Sequence, residues 1–183
     1  MNANWAKIGN DIDGDFTWDD SGESVSLSND GTVLAIGTPL YDANGTGINE
    51  NSGLTRIYKY SSGSWSQLGS DIDGIGYNDW FGHSVSLSSD GSIVAIGAPR
   101  SNGSKSQDGH TRIFQYSSGS WSQLGNDIDG ERAYDYSGYA VSLSGDGSIV
   151  AIGAYRNDGG GFTSGHTRIY QYSSGSWSQL GSD

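Results

Sequence analysis

The sequence repeats itself at a nearly constant period, and this feature constrains the fold more than any other. The string "WSQLGSDIDG" begins at Trp65 and returns as "WSQLGNDIDG" at Trp121, with a looser copy at Trp5 and a partial copy at Trp177. These tryptophans are 60, 56 and 56 residues apart. A fixed period of roughly twenty to fifty residues or slightly more is typical of solenoids, propellers and other arrays of like units. We therefore expect one repeat array.

Composition indicates that the repeated units are built from strands. The 183 residues include 30 glycines and only two prolines, with many Ser, Asp, Trp and Tyr residues. Helix-forming Ala, Glu, Lys and Leu are scarce, whereas short strands joined by turns favour the residue types that are abundant here. The chain is expected to contain almost no helix.

The pattern within each unit predicts four short strands, which we name A to D. Strand A alternates Val and Leu with Ser, at residues 23–28, 83–88 and 139–144. An Asp-Gly turn then leads to strand B ("SIVAIG" in the second unit), and a longer polar loop leads to strand C ("HTRIFQY"). Strand D reads "WSQLG", and the loop beginning "DIDG" leads to the next strand A. Such a meander, apolar on both faces, predicts a β-propeller blade.

The predicted fold is all-β, with three four-stranded antiparallel propeller blades plus one extra N-terminal strand. Within the single array of residues 1–183, the predicted parts are a leading D-type strand at 1–9, blade 1 at 10–69, blade 2 at 70–125 and blade 3 at 126–183. Closed propellers have about four to eight blades. Three blades therefore predict a homo-oligomer, with a dimer preferred over an open filament-like array.

A known family is indicated by "WFGHSVSLSSDGSIVAIGAP" at residues 80–99, where Phe-Gly and Gly-Ala-Pro flank the hairpin of strands A and B. The segment resembles the FG-GAP repeats of integrin α-subunit propellers and of many extracellular microbial proteins. The first unit departs from this motif with Ser21-Gly22 and Gly37-Thr38-Pro39, and the third with Ser137-Gly138 and Gly153-Ala154-Tyr155. The resemblance implies an extracellular or cell-surface propeller, often used in adhesion, without catalysis.

The resemblance also implies a calcium site between strands A and B, but that turn is too short here to supply several ligands. The loops from strand D to strand A offer an alternative, because each places three carboxylates at repeated positions. The candidate calcium ligands are Asp11, Asp13, Asp19, Asp71, Asp73, Asp79, Asp127, Asp129 and Asp135. In the interpretation that we favour, these side chains instead cap turns or pair with the strand C arginines Arg56, Arg112 and Arg168.

The loops from strand B to strand C differ most between units, and variable loops on a repeated scaffold are a usual arrangement for recognition. The candidate ligand-binding residues are Tyr41, Asp42, Arg100, Lys105, Arg156 and Asp158. Two functions remain open. The first is a non-catalytic recognition or adhesion module that binds protein or glycan. The alternative is a self-assembling structural repeat protein, or an excerpt of a longer propeller, whose main partner is itself.

Several classes of function are excluded by charge and composition. A formal net charge of -12 repels nucleic acid, and the absence of cysteine excludes disulfides and thiolate chemistry. No apolar run is long enough to insert into a membrane or to form the core of a signal peptide. No serine lies in a Gly-x-Ser-x-Gly elbow with a credible base, so we expect no enzyme.

Overall fold

The computed structural model describes residues 4–42 and 51–182, and every regular element in this part of the chain is a β-strand. The strands form three antiparallel sheets that follow one another along the sequence, one for each repeat. The prediction of an all-β fold built from three four-stranded antiparallel units is confirmed. Each unit is called a blade below, and the short strands β5 and β10 are counted with the blade whose strand C they pair with, although the predicted bounds place them at the start of the next unit.

Each blade pairs its strands in the order A-B-C-D. Blade 1 contains β1 (Ser24–Leu27), β2 (Val33–Thr38), β3 (Leu54–Ser61), β4 (Ser64–Gln67) and the short β5 (Ile72–Asp73). Blade 2 contains β6 (Ser84–Leu87), β7 (Ile93–Ala98), β8 (His110–Ser117), β9 (Ser120–Gln123) and the short β10 (Ile128–Asp129). Blade 3 contains β11 (Ala140–Leu143), β12 (Ile149–Ala154), β13 (His166–Ser173) and β14 (Ser176–Gln179).

The short strands β5 and β10 come from the "DIDG" segments, which the sequence places in loops. In blade 1, Ile72 pairs with Thr55 and Asp73 pairs with Leu54, so this segment covers the part of strand C that strand D does not reach. Ile72 is buried, and its alternation with two aspartates fits the period of a strand with one covered face. The predicted loop is therefore regular over its first residues.

The predicted N-terminal strand is not formed among the residues described, because residues 4–9 belong to no sheet. A D strand pairs with strand C of its own blade, and the described residues before blade 1 include no such strand. The segment nevertheless lies where a D strand would end. The carbonyl of Ile8 accepts a 3.4 Å hydrogen bond from Trp65 Nε1 of blade 1. In the same way, the carbonyl of Leu68, just after strand D of blade 1, accepts a 2.7 Å bond from Trp121 Nε1 of blade 2.

The core lies between blades, because each blade presents two apolar faces. We call the face turned toward the preceding blade the front face and the opposite one the back face. The back faces consist of Val33, Ala35 and Ile57 in blade 1, and of Ile93, Ala95 and Ile113 in blade 2. The front faces packed against them include Val85, Leu87, Val94 and Ile96 in blade 2, and Val141, Leu143, Val150 and Ile152 in blade 3. Burial of these faces is the main source of stability.

The two joints between blades repeat the same hydrogen bonds. Ser24 Oγ donates to the carbonyl of Gly82 over 2.8 Å, and Ser84 Oγ donates to that of Gly138 over the same distance. Strand A of one blade lies beside strand A of the next, and Ser26 Oγ accepts from Leu87 N at 2.9 Å. The joint is therefore specified by polar groups as well as by apolar packing.

The hairpin between strands A and B is organised by one aspartate, as the sequence predicts. Asp30 accepts hydrogen bonds from Thr32 N at 2.9 Å and from Ser28 Oγ at 2.7 Å, while Gly31 adopts a φ of 71°. The same bonds recur at Asp90 and Asp146. Each aspartate thus closes its turn as an anionic acceptor.

Acid should weaken these three turns together. The bond from Thr32 N and those from Ser28 and Thr32 hydroxyls lower the pKa of Asp30 to about 2, and equivalent bonds, led by that from Ser144, lower the pKa of Asp146 to about 2. The pKa of Asp90 is also lowered, first by the bond from Ser92 N. Because the folded-state pKa values lie below the unfolded value of 3.8, the stabilisation is present above about pH 4 and is lost as pH falls toward 2.

Urea unfolding between pH 5 and pH 2 checks this expectation. A variant with Asp30→Asn, Asp90→Asn and Asp146→Asn keeps an acceptor oxygen in each turn but cannot titrate there. Its free energy of unfolding should fall less steeply with acid than that of the wild type. Equal slopes in the two proteins would show that other carboxylates control acid unfolding.

Candidate functional site

The first aspartate of a "DIDG" segment forms an ion pair with the strand C arginine of the blade it follows. Arg56 donates to Asp71 through Nε at 3.0 Å and Nη2 at 2.9 Å, and Arg112 reaches Asp127 through the same atoms at 3.0 and 2.8 Å. The Arg56 guanidinium lowers the pKa of Asp71. These pairs have the geometry of the structural interpretation that we favoured from the sequence.

Arginines in the first and third blades also contact the preceding loop. Arg56 pairs with Asp15, and Arg168 pairs with Glu131, which occupies the equivalent position two loops later. In the second blade this position is Ile75. The strand C arginines of blades 1 and 3 thus hold the preceding loop, whereas Arg112 is paired with the loop that follows it.

The third aspartate of each predicted calcium set is buried and caps its own loop. Asp19 accepts from Phe16 N and Asp135 from Arg132 N, both at 3.0 Å. Asp79 makes the same bond with the backbone of Gly76, and burial raises its pKa above the ordinary value. Such caps satisfy backbone donors inside the loop.

The three aspartates of one predicted set do not converge in the part of the chain that the structure describes. Two other clusters place three ligand atoms within 4.8 Å of one another. They are His110 with Asp127 and Asp129, and His166 with Glu131 and Asp135. Calcium prefers six to eight oxygen ligands, and a histidine nitrogen with two carboxylates is a different donor set. Calcium binding stays a prediction.

A row of aromatic rings crosses blades 2 and 3 where strand A begins and strand B ends. Ring centroids are 5.9 Å apart for Trp80 and His83, 4.6 Å for His83 and Tyr139, and 4.5 Å for Tyr139 and Tyr155. Tyr136 completes the row at 5.8 Å from Tyr155. We call these five residues the aromatic ladder. Tyr139 and Tyr155 are each 45% exposed, so the middle of the ladder faces solvent.

Two arginines from the B–C loops lie over the ladder, one near each end. The Arg100 guanidinium is 3.9 Å from the centre of the Trp80 ring, and that of Arg156 is 5.0 Å from Tyr136 and 5.4 Å from Tyr155. Burial lowers the pKa of His83, so this ring is neutral at neutral pH. The positive charge of the patch therefore comes from the arginines, in a chain of strongly negative net charge.

The other predicted ligand-binding residues lie apart from the ladder or organise their own loops. Asp42 accepts a 2.8 Å bond from Asn51 N, and Asp158 accepts a 2.6 Å bond from Thr163 N. Tyr41 lies beside Phe16 on blade 1 with Arg56 near its ring, and the Lys105 ammonium contacts Ser104 at 3.3 Å. Among the six predicted residues, Arg100 and Arg156 contact the ladder.

Two large cavities are the open ends of the array. A cavity of about 400 Å³ lies against the back of blade 3, between Gly153 and Thr167. The equivalent glycine in blade 2, Gly97, is covered by the carbonyl of Gly138 from the next blade. A second cavity of about 540 Å³ lies on the front face of blade 1, beside Val25. At the equivalent places on blade 2, a neighbouring blade of the same chain fills the space that each cavity occupies.

A model of the FG-GAP repeat family matches residues 128–170, and this confirms the resemblance drawn from the motif. No curated protein matches the chain. Within the described residues, no helix is long and apolar enough to cross a membrane.

Solved structures give the fold context. The chain is similar to a Bacteroides uniformis protein named as a 6-phosphogluconolactonase, with a TM-score of 0.55 at 13% identity over 86% of this chain and 39% of that one. It is also similar to Sqt1 from Saccharomyces cerevisiae, with a TM-score of 0.54 at 15% identity over 88% of this chain and 35% of that one. At these identities the likeness concerns the fold, which is that of a β-propeller-like module. The chain spans well under half the length of either protein.

Proposed function

We propose that the chain is a non-catalytic recognition module of the β-propeller type, which binds a protein or glycan ligand through the aromatic ladder. The FG-GAP repeat match supports a surface-exposed or extracellular location and a role in adhesion. The observation that carries the proposal is the ladder itself, where half-exposed tyrosines contact one another in tilted pairs and an arginine lies over the rings near each end.

The composition of the ladder is that of a binding surface. Trp, Tyr and Arg are the residue types that dominate binding energy at interfaces, because they bury large areas and offer polar atoms at their tips. Tyr139 directly precedes strand A, and Tyr155 and Arg156 directly follow strand B. Tyr155 already contacts Tyr139 and Tyr136 within the chain, and such preorganisation lowers the entropic cost of ligand binding.

The ladder is absent from blade 1. Its positions are occupied there by Asp20, Glu23 and Pro39, with Leu40 in place of the arginine. Blade 1 has the same strand order without these aromatic residues, so the ladder is not needed for a blade to fold. A ligand that uses the ladder is expected to contact blades 2 and 3 and to prefer negative or aromatic groups, which suit arginine over a ring.

Tyr155→Ala should reduce ligand affinity by about tenfold or more, since removal of a central aromatic anchor commonly costs about 2 kcal/mol or more. Arg156→Ala should have a similar effect on acidic ligands. The measurement is tryptophan fluorescence titration against a panel of neutral and uronic-acid oligosaccharides and of acidic, tyrosine-rich peptides. The two arms of the panel separate glycan from protein recognition.

Trp5→Ala is the matched control, because Trp5 is a 98% exposed aromatic outside the ladder. This variant should bind like the wild type. The proposal fails if no member of the panel binds, or if a ligand binds the Tyr155→Ala and Arg156→Ala variants as tightly as the unchanged protein.

A further inference from the structure

The front face of blade 1 is open, although its residues match those that are buried in blade 2. Val25 and Leu27 are 61% and 56% exposed, whereas Val85 and Leu87 at the same positions are 9% and 7% exposed. The difference arises because blade 2 has blade 1 in front of it. Blade 1 therefore presents a ready interface surface with no blade of this chain against it in the described residues.

The back face of blade 3 is open in the same way. Ile169 is 44% exposed, whereas Ile57 and Ile113 at the equivalent positions are 1% and 0% exposed. Thr167 is exposed, whereas the equivalent Thr111 is fully buried under the next blade. The back face of blade 3 thus carries the residues that form a joint in blades 1 and 2, but no blade of the described residues packs against it.

The two open faces are complementary because each repeats a face that packs against the other type of face within the chain. The front face of blade 1 carries the side-chain types that blade 2 presents to blade 1. The back face of blade 3 carries the types that blade 2 presents to blade 3, with isoleucine and alanine at matching places on strands B and C. The interface that would join them already occurs twice within one chain.

We propose that a second copy of the chain docks its blade 3 against the front face of blade 1, and that two chains close in this way through two identical joints. Two copies supply six blades, which lies within the range of about four to eight in which propellers close, whereas three copies would supply nine. The symmetric arrangement leaves no open face, so assembly stops at the dimer.

The hydrogen bonds of the existing joints indicate which atoms meet in the new one. Ser86 Oγ accepts from Leu143 N at 2.9 Å, and Ser89 N donates to the carbonyl of Gly145 at 2.8 Å. By the same register, Ser142 of one copy accepts from Leu27 N of the other. The one missing group is a hydroxyl, because Ala140 stands where Ser24 and Ser84 donate across their joints.

The N-terminal segment competes with the second copy for part of this face. Ile8 and Gly9 lie against Trp65 as Leu124 and Gly125 lie against Trp177. In the dimer, residues 180–181 of the second copy need the same place. Removal of residues 1–9 should therefore tighten the dimer, since that segment belongs to no sheet among the described residues.

Sedimentation of the 183-residue chain and its variants between about 1 and 100 μM tests the proposal. The wild type should reach twice the chain mass of 19.3 kDa and stop there. Val25→Asp and Ile169→Asp should each abolish the dimer, and an equimolar mixture of the two should recover a weaker pair, because one joint can still form. Ala140→Ser restores one hydrogen bond at each of the two joints and should tighten the dimer by about tenfold to a hundredfold, which is about threefold to tenfold per joint.

Gly153→Ala distinguishes a lost joint from a lost fold. A methyl group at Gly153 meets nothing closer than 3.6 Å within the chain, so circular dichroism should be unchanged while the dimer is lost. A wild type that remains at the monomer mass overturns the proposal. So does a dimer that survives both aspartate substitutions, or a mass that keeps growing with concentration. None of the substituted residues belongs to the aromatic ladder, but Tyr139 and Tyr155 line the same cavity as Gly153. Sedimentation is therefore carried out without ligand, and its result tests the joint and not ligand recognition.

Discussion

Gly97→Ala should destabilise the fold by about 3 kcal/mol or more, which corresponds to a fall in Tm of roughly 6–12 °C for a chain of this size. A methyl group at Gly97 would overlap the carbonyl of Gly138 and the hydroxyl of Ser84. The carbonyl belongs to the backbone of the next blade, so relief requires the two blades to separate. Thermal unfolding followed by circular dichroism measures the loss.

The repeat supplies its own control for this substitution. Gly153 is the equivalent position in blade 3, where no blade among the described residues packs against it and the nearest atom to an added methyl group is 3.6 Å away. At high dilution, where the chain is a monomer, Gly153→Ala should change stability by less than about 0.5 kcal/mol. Equal losses in the two variants would show that the glycine is needed within the strand and not at the joint.

Ile113→Ala should cost about 3 kcal/mol, within the range of about 2–5 kcal/mol for truncation of a fully buried aliphatic side chain. Ile113 is 0% exposed and packs in the cluster between blades 2 and 3. Ile113 lies in the sheet of blade 2 and packs against strands of blade 3, so hydrogen-bonded strands surround the cavity and limit its collapse. Urea unfolding of the monomer at high dilution gives the free energy directly.

Ile169 is the matched control for Ile113, because the two residues occupy the same position on strand C. Ile169 is 44% exposed, so Ile169→Ala should cost about 1 kcal/mol or less. A ratio near one between the two losses would contradict the view that the core lies between blades. It would indicate instead that strand C is stabilised chiefly within its own sheet.

Much of the fold could be predicted because the repeat supplies three readings of one pattern. Strands A to D and the Asp-Gly turn are each marked by local alternation and by glycine at a position with positive φ. The pairing of β5 with strand C was missed because two residues are too short for alternation to be visible. The absence of strand structure at residues 4–9 was missed because strand D depends on a partner that is distant in sequence.

The candidate site was harder to predict, since it is formed by departures from the repeat. The ladder residues occupy equivalent positions whose residue type changes from unit to unit, namely positions 80 and 136 and positions 83 and 139. No single one of these residues forms a recognisable motif with its sequence neighbours. The variable B–C loops pointed to Arg100 and Arg156, and the replacement of the motif proline by Tyr155 was the available signal for the rings themselves. The nine aspartates were conspicuous in sequence, but arginines and backbone donors on neighbouring segments satisfy several of them.

The joint that recurs between blades makes the chain a nearly one-dimensional system. Each blade contacts only its immediate neighbours. The free energy of unfolding of the array is therefore approximately the sum of the intrinsic stabilities of the blades and the interaction energies of the joints. Within a single chain, the described joints couple the middle blade on both sides and the outer two on one side, so local opening of the monomer should begin at the outer blades. Duplication or deletion of a whole unit would leave the joints between the other units unchanged, so the same joint can serve arrays with different numbers of units.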